Sequence, residues 1–535
     1  MRAMILTGAI AAFLAGAPTT AEDAVHFDKA RYQTPSDKTL TAVMAAREAD
    51  WRNGAIVYQV IVDRFSPSKS LDAKRHLYAP PRTLQAWSDL PKPGHPVEGA
   101  DNWSHELAFW GGDLESLMGE LDYIQGIGVD VLYLNPIHLA RTNHKYDALD
   151  YHRISPEYGT REDVKALAGA LHDRGMKLVL DGIFNHMGSK APIFREALKD
   201  ANSPYRDWFF ISDAYKDGYR SWIDAPALPE LKLENPEVQD YIYRSDTSVV
   251  RSYLRDGIDG WRLDVAFDVG PEALAELRTS ARAEKKQALI IGEIWSYPDG
   301  WTQSLDGILN FPARRIIESL VDGRVNGPAA GRMLAQMAED TGMDGLLKSW
   351  LLLDNHDTKR LMDMMPEPWQ RNMAQVLQFT LPGSPNLYYG TELGMRGGED
   401  PENRAPMRWD LATGDNEVLR RTQELITLHK EERALRIGNF RVIDSEKLLA
   451  FERYTDRALE TVFVIANPSD TAVTETLMIR NWKMMNGTPA VNALTGKREA
   501  EIRSSLMDIS IDAHSVLVLK PEDFDNDWSP YERVQ

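Results

Sequence analysis

The sequence predicts an α/β fold: a closed (β/α)8 barrel with a small subdomain inserted after strand three and a C-terminal antiparallel β domain. Three observations predict it. Eight short apolar runs alternate with amphipathic stretches from about residue 55 to residue 390. The connection after the third run is swollen, rich in Pro, Gly and aromatics and without clear periodicity. Beyond about residue 435 the pattern turns to the short alternating runs of an antiparallel sheet.

The runs are AIVYQVIVD (55–63), VDVLYLNP (129–136), KLVLDGIF (177–184) and IDGWRLDV (258–265), followed by ALIIGEIW (288–295), DGILNF (306–311), SWLLLDNHD (349–357) and NLYYG (386–390). Nearly unbroken apolar runs suit parallel strands covered on both faces. The stretches between them carry helix punctuation. Asp113 can cap a helix with Leu114, Leu117, Met118 and Leu121 on one stripe, and Thr160 with Asp163 resembles a capping box closed off near Gly175. Pro236 and Pro271 stand where first-turn prolines belong. A doubly wound open sheet is the alternative, but no glycine-rich phosphate loop follows an early strand. The insertion runs from 187 to about 235 and includes NSPYRDWFF (202–210). LLAFERY (448–454), TVFVIANPS (461–469) and MDISIDAHSVLVL (507–519) are the strands legible in the C-terminal domain. The expected division is a signal segment at 1–21, an N-terminal extension at 22–50, the barrel at 51–434, the β domain at 435–520 and a tail at 521–535.

Composition narrows the function. With 43% apolar and 26% charged residues, neither disorder nor a membrane bundle fits. A charge of −19 disfavours nucleic acid and anionic membranes as partners. The absence of cysteine excludes disulfides, thiolate metal sites and a cysteine nucleophile. Met1 and Arg2 precede an apolar run from Ile5 to Ala15 and small residues with cleavage points after Ala17 or Ala21. That run is too short to span a bilayer and suits a secretory signal, so an exported protein, periplasmic or extracellular and without a membrane anchor, is expected.

In a barrel of this type reacting groups project from the C-terminal ends of the strands. Those ends supply Asp181, Asn185 and His186, then Arg262 and Asp264, then Glu293, then His356 and Asp357. Any one of them alone would more often be structural; their coincidence at successive strand ends favours chemistry. Glycosidic bond cleavage needs two carboxyl groups, one ionised to attack and one protonated to donate. Arg262, two residues from Asp264 and on the same strand face, is expected to hold Asp264 ionised. Glu293, flanked by Ile294 and Trp295, suits the acid. Asp357 is placed to bind sugar hydroxyls as charge develops. A metal site is the rival use of the cluster, but two acids with scattered histidines make a poor ligand set.

These residues carry a resemblance. DGIFNH (181–186), GWRLDVA (260–266), GEIW (292–295) and DNHDT (354–358) resemble the four signature segments of the alpha-amylase family, glycoside hydrolase family thirteen. NHKYDALDYHRISPEYGT (143–160), WGGDLESL (110–117), YRDWFF (205–210), LPELKLENPEV (228–238) and GGEDPENRAPMRWD (397–410) are similar to the neopullulanase, cyclomaltodextrinase and maltogenic amylase branch. The resemblance implies that Asp264 is the nucleophile, Glu293 the acid/base and Asp357 the transition-state stabiliser. It implies that His186 and His356 grip hydroxyls of the sugar being cleaved, that Arg262 flanks the nucleophile, and that Tyr146 stacks under that sugar with His144 beside it. Asp400 and Arg404 match a pair that contacts the next sugar, and Trp295 beside the acid is expected to wall the cleft together with Trp208 and Phe209.

Two departures from that branch shape the expectations. Only about thirty residues separate the signal from the first strand, too few for the branch's N-terminal β domain, so a monomer with an open cleft that takes linear glucans is expected. The loop after VDRF runs SPSKSLDAK rather than an Asn- and Asp-rich sequence, and Asp113 with Asn185 are too few ligands to predict structural calcium. No cofactor is expected for the chemistry. The function expected is a retaining hydrolase of α-1,4 bonds in maltodextrins, starch, pullulan or cyclodextrins. The alternatives are a transglycosylase of the same fold and an inactive glucan-binding relative. Mass measurement of the exported protein is expected to give a first residue at Pro18 or Glu22; an intact Met1 in the membrane fraction would refute the signal reading.

Overall fold

A computed structural model describes residues 34–99, 101–524, 529–531 and 534. The expected signal segment and the start of the N-terminal extension lie outside the described residues. Eight parallel strands form the central sheet: β1 (Val57–Val60), β2 (Val131–Leu134), β3 (Lys177–Gly182), β4 (Gly260–Leu263), β5 (Leu289–Gly292), β6 (Gly307–Ile308), β7 (Trp350–Leu352) and β8 (Ser384–Tyr388). Their spatial order is β6-β5-β4-β3-β2-β1-β8-β7, and a parallel bridge between Leu309 and Trp350 joins the two ends. The barrel is closed.

Side chains along each strand alternate between two cores, which is why the runs read as unbroken apolar sequence. Val57, Val131, Tyr133, Val179, Leu289, Ile291, Trp350 and Leu352 share one buried cluster, the filling of the barrel. Their neighbours Tyr58, Leu132, Leu178, Leu180, Trp261, Leu263 and Ile290 belong to the larger cluster beneath the helices. The helix punctuation behaves as its chemistry predicts. Thr160 and Asp163 close a capping box on Arg161–His172, which buries Val164, Leu167, Ala168 and Leu171. Gly257 ends Val249–Asp256 with φ of 118°, a left-handed value that a residue with a Cβ seldom adopts. The strands themselves are shorter than the apolar runs, because the residues beyond them turn out of the ladder to build the mouth.

Two long excursions leave the top of the barrel. The one expected after β3 carries the helix Pro192–Lys199 and bridges Phe209–Leu231, Ile211–Tyr219 and Ser221–Pro229. The other, between β1 and the helix Leu114–Met118, was not foreseen; it is held by small two-stranded ladders, Thr83–Leu84 on Ala108–Phe109 and Pro96–Val97 on Asn102–Trp103. Its strands are two residues long, too short to leave an alternating pattern.

The C-terminal sheet has eight strands: β9 (Asn439–Val442), β10 (Leu449–Tyr454), β11 (Val462–Asn467), β12 (Val473–Met478), β13 (Thr488–Asn492), β14 (Arg498–Arg503), β15 (Leu506–Ile511) and β16 (Ser515–Pro521). Its order is β9-β10-β11-β16-β13-β14-β15-β12. The run 507–519, which reads as one alternating strand, is two. It breaks around His514 at a φ of 54°; β15 pairs with β12 while β16 pairs with β11. Arg453 on β10 ties this sheet to the barrel: fully buried, it donates to the Thr380 carbonyl at 2.8 Å and the Gly438 carbonyl at 3.0 Å. Desolvation, with the nearby Arg47 adding to it, lowers its pKa to about 9.

Candidate active site

The parallel register brings the charged residues together. Arg262 lies level with Asp181 on β3 and with Ile291 on β5. Asp264 and Glu293 come two residues further along their chains, so they share the face of the residues that fill the barrel. Nη1 of Arg262 donates to Asp181 Oδ1 and to Asp264 Oδ1, each at 2.9 Å. Its Nη2 lies 3.0 Å from Glu293 Oε2. Arg262 has no exposed surface, whereas Asp264 is 6% and Glu293 9% exposed at the barrel mouth. The next residue, Val265, is left-handed with φ of 47° and ψ of 40°, a conformation costing a β-branched residue about 1–3 kcal/mol. That geometry aims its N–H at Glu293 Oε2, at 3.1 Å, while the Trp295 indole donates to Oε1 at 3.1 Å.

One guanidinium serves three carboxylates, and this decides the electrostatics. Burial raises the pKa of Asp264 well above the usual value; Arg262 offsets part of the rise, and the charges of Glu293 and Asp181 add to it. Burial raises Asp181 as well, against the pull of Arg262 and the Tyr133 hydroxyl. Arg262 contacts Asp264 as expected and favours its ionised form, but it does so while also serving Asp181 and Glu293. Its charge is divided among three acids in a desolvated pocket, so burial works against the ionised form of Asp264 while Arg262 works for it.

A hydrogen-bond chain orients the rings around it. Gln59 on β1 donates from Nε2 to Asn135 Oδ1 and to His356 Nδ1, both at 2.9 Å. An amide nitrogen only donates, so Nδ1 accepts and the His356 proton sits on Nε2. That nitrogen lies 2.7 Å from the Tyr146 hydroxyl, which in turn donates to Asp181 Oδ2 at 3.0 Å. Tyr133 donates to the same oxygen at 2.6 Å. Desolvation, then the nearby Arg404 and Arg262, push His356 well below its ordinary pKa, and burial brings His186 down to about 4. Both rings are neutral at neutral pH. Among the described residues His186 Nε2 is buried without a protein partner, and its ring stacks on Trp222 at 5.3 Å.

Tyr146 is stacked on His356 at 5.5 Å and on His144 at 5.8 Å. Between His144 and Tyr146, Lys145 is left-handed, with φ of 66°, and its buried ammonium pairs with Glu157. His144 lies 3.6 Å from Glu106, a residue of the β1 excursion. Asp357, one-third exposed, is reached by Arg404 Nη2 at 3.4 Å, and Arg404 Nε lies 3.2 Å from Asp400. The structure thus brings Asp264, Glu293, Arg262, Trp295, Tyr146, His356, His144, Asp357, Arg404 and Asp400 into one linked set of contacts. His186 joins through its Trp222 stack, since the Trp222 indole donates to Asp268 at 2.9 Å, four residues after Asp264.

The catalytic-domain model of the alpha-amylase family matches residues 59–431. The chain belongs to the alpha-amylase family. Among its relatives are neopullulanase 2 of Thermoactinomyces vulgaris, 34% identical over 76% of this chain and 68% of that protein, and a cyclomaltodextrinase of Geobacillus thermopakistaniensis, 32% identical over 90% and 80%. A solved structure, the cyclic alpha-maltosyl-(1→6)-maltose hydrolase of Arthrobacter globiformis in its ligand-free form, superimposes with a TM-score of 0.74 at 26% identity, covering 88% of this chain and 100% of its own. The protein is a glycoside hydrolase of this family with a barrel catalytic domain.

One expectation about this alpha-amylase-family site is corrected by burial. Trp208 and Phe209 do not wall the cleft: Trp208 packs on Tyr205 and Tyr241 with its indole donating to Glu237, and Phe209 packs on Phe194. They are the insertion's own core, and the ring it contributes to the site is Trp222. Asp113 caps the helix Leu114–Met118 as expected, and its carboxylate accepts from Lys74 at 2.5 Å and from Ser116 and Ser68. Sequence reasoning missed Gln59, Tyr133, Asn135, Lys145 and Trp222. Gln59 had a legible signal, a lone amide inside the apolar run AIVYQVIVD. Replacing Asp181 by Asn removes a negative neighbour and releases Arg262 toward the other acids. The expected outcome is an acid limb of the pH–activity profile moved about one unit lower, with a reduced plateau because Tyr146 loses its charged acceptor.

Proposed function

We propose that the chain is a retaining α-glucan hydrolase cleaving α-1,4-glucosidic bonds of maltodextrins and related glucans. The observation that carries this reading is the pair Asp264 and Glu293 set on one guanidinium at the barrel mouth. Asp264 attacks the anomeric carbon as Glu293 gives its proton to the glycosidic oxygen. Glu293 then takes a proton from water, which displaces Asp264 and restores the α configuration. The Val265 N–H and the Trp295 indole orient the Glu293 carboxyl through both transfers. Arg262 favours the ionised form of Asp264, and the positive charge developing at the sugar favours it further. Tyr146 offers its ring to the sugar, the His186 Nε2 meets one of its hydroxyls, the His356 Nε2–H turns from the Tyr146 hydroxyl to another, and Asp357 strengthens its hold as the ring flattens.

Maltodextrins fit this reading because the relatives are named neopullulanase and cyclomaltodextrinase, proteins that act on α-glucans. Asp264→Asn is expected to abolish turnover, since an amide forms no glycosyl ester. Glu293→Gln is expected to be severe on maltodextrins yet partly spared on glycosyl fluorides, whose leaving group needs no proton. Reducing-sugar release read against fluoride release checks both, and near-normal activity of Asp264→Asn would sink the assignment.

The same reading is metal-independent. Where Asp113 would otherwise meet a cation, the Lys74 ammonium already sits on its carboxylate, with the Glu157 carbonyl as a further acceptor at 3.4 Å. An internal ammonium neutralises the buried acid as a bound ion would. EDTA is accordingly expected to leave both activity and the thermal midpoint unchanged, whereas a midpoint lost in chelator and restored by calcium would overturn this part.

A further inference from the structure

Trp295 belongs to two environments at once. Its Nε1 holds the acid Glu293, its ring lies flat on Phe311 with 3.7 Å between centroids, and 55% of the residue is still exposed. That exposed surface is the meeting point of two hollows. One, of about 430 Å³, is polar and runs past Asp357, Lys359 and Glu399. The other, of about 780 Å³, is lined chiefly by carbon: Tyr297, Phe311, Ile316, Met333 and Met337. Of its polar lining, Tyr297 donates to one oxygen of Asp340 and Gln336 to the other, each at 2.8 Å, Arg314 and Arg315 pair with Glu318, and Arg332 is exposed to solvent.

A sugar ring presents hydroxyls on every edge, and burying them against carbon without partners is unfavourable. The next glucose of a glucan is therefore matched by the polar hollow, and the carbon-lined hollow is matched by a group without hydroxyls. Neither Glu293 nor Asp264 lines this hollow; Trp295, which lines it and whose Nε1 reaches the acid at 3.1 Å, sets it beside the reacting centre. We propose that this cavity is an aglycone site, which takes the alkyl group of an α-glucoside whose glycosidic oxygen lies at Glu293. The inference rests on the proposed roles of Asp264 and Glu293. The bond from the anomeric carbon to the alkoxy oxygen breaks as Asp264 forms the ester, Glu293 protonates the departing alcohol, and water completes hydrolysis.

The test is a series of methyl, butyl and hexyl α-maltosides, with maltotriose as reference. These alkanols are close in acidity, so the bond-breaking step is held nearly constant while the buried apolar surface grows. Full burial is worth up to about fourfold per methylene, and a rise in kcat/KM of at least tenfold from methyl to hexyl is expected. Met333 is exposed on the cavity wall, where a charge is tolerated by the fold. Met333→Glu, and independently Met333→Lys, are expected to bring the hexyl-to-methyl ratio close to one. A flat series in the unaltered enzyme, with maltotriose cleaved normally, overturns the aglycone site alone. Failure to cleave maltotriose and every maltoside overturns the hydrolase reading and this inference with it.

Discussion

The buried guanidinium of Arg262 is the interaction on which the site depends. It is the charge against which Asp181, Asp264 and Glu293 are all arranged, and each of the three comes from a different strand. A cation so enclosed is tolerable only because those acids surround it, and the acids are tolerable only because it is there. The consequence reaches the backbone. The register of β3, β4 and β5 has to place Asp181, Arg262 and Ile291 level, since a slip of one residue would turn each side chain to the opposite face. Closure of the barrel by the Leu309–Trp350 bridge leaves the sheet no edge along which such a slip could begin.

Around that charge the molecule accepts local cost in order to fix geometry. Val265 and Lys145 both adopt left-handed conformations that their side chains disfavour. In each case the strained residue is next to one that faces the reaction: Val265 follows Asp264, and Lys145 precedes Tyr146. The strain accompanies the Val265 N–H on the acid Glu293 in one case and the buried Lys145–Glu157 pair in the other. The chain from Gln59 through His356 and Tyr146 to Asp181 adds direction. It sets the imidazole tautomer from within the barrel and fixes the Tyr146 hydroxyl between His356 and Asp181.

The walls of the mouth follow a different rule, set by which aromatic rings the insertions can keep covered. The segment after β3 spends Trp208 and Phe209 on its own interior, because a subdomain of that size has few apolar residues with which to build a core. Trp222, anchored through its indole to Asp268, is left to face the site. On the other side Trp295 has the rigid face of Phe311 behind it and can stay exposed. The excursion after β1 contributes no strand longer than two residues, yet its Glu106 and the Asn143 contacts to the His105 and Ala108 carbonyls hold the 141–146 loop in place.

By itself the sequence determined the alternation that makes a barrel, the capped helices between strands, and the strand-end positions of Asp264, Glu293, Arg262, His356 and Asp357. Those follow from local periodicity and from short motifs, which are properties of neighbouring residues. It could not determine how one positive charge is divided among three acids, because Asp181 and Glu293 meet Arg262 only through strand register. The same holds for Lys74, whose ammonium finds Asp113 across 39 positions, and for the two strands within 507–519, whose alternation is continuous but whose pairing partners lie in different parts of the sheet. Period and propensity are written along the chain, whereas burial and electrostatic partnership exist only between segments that tertiary folding brings into contact.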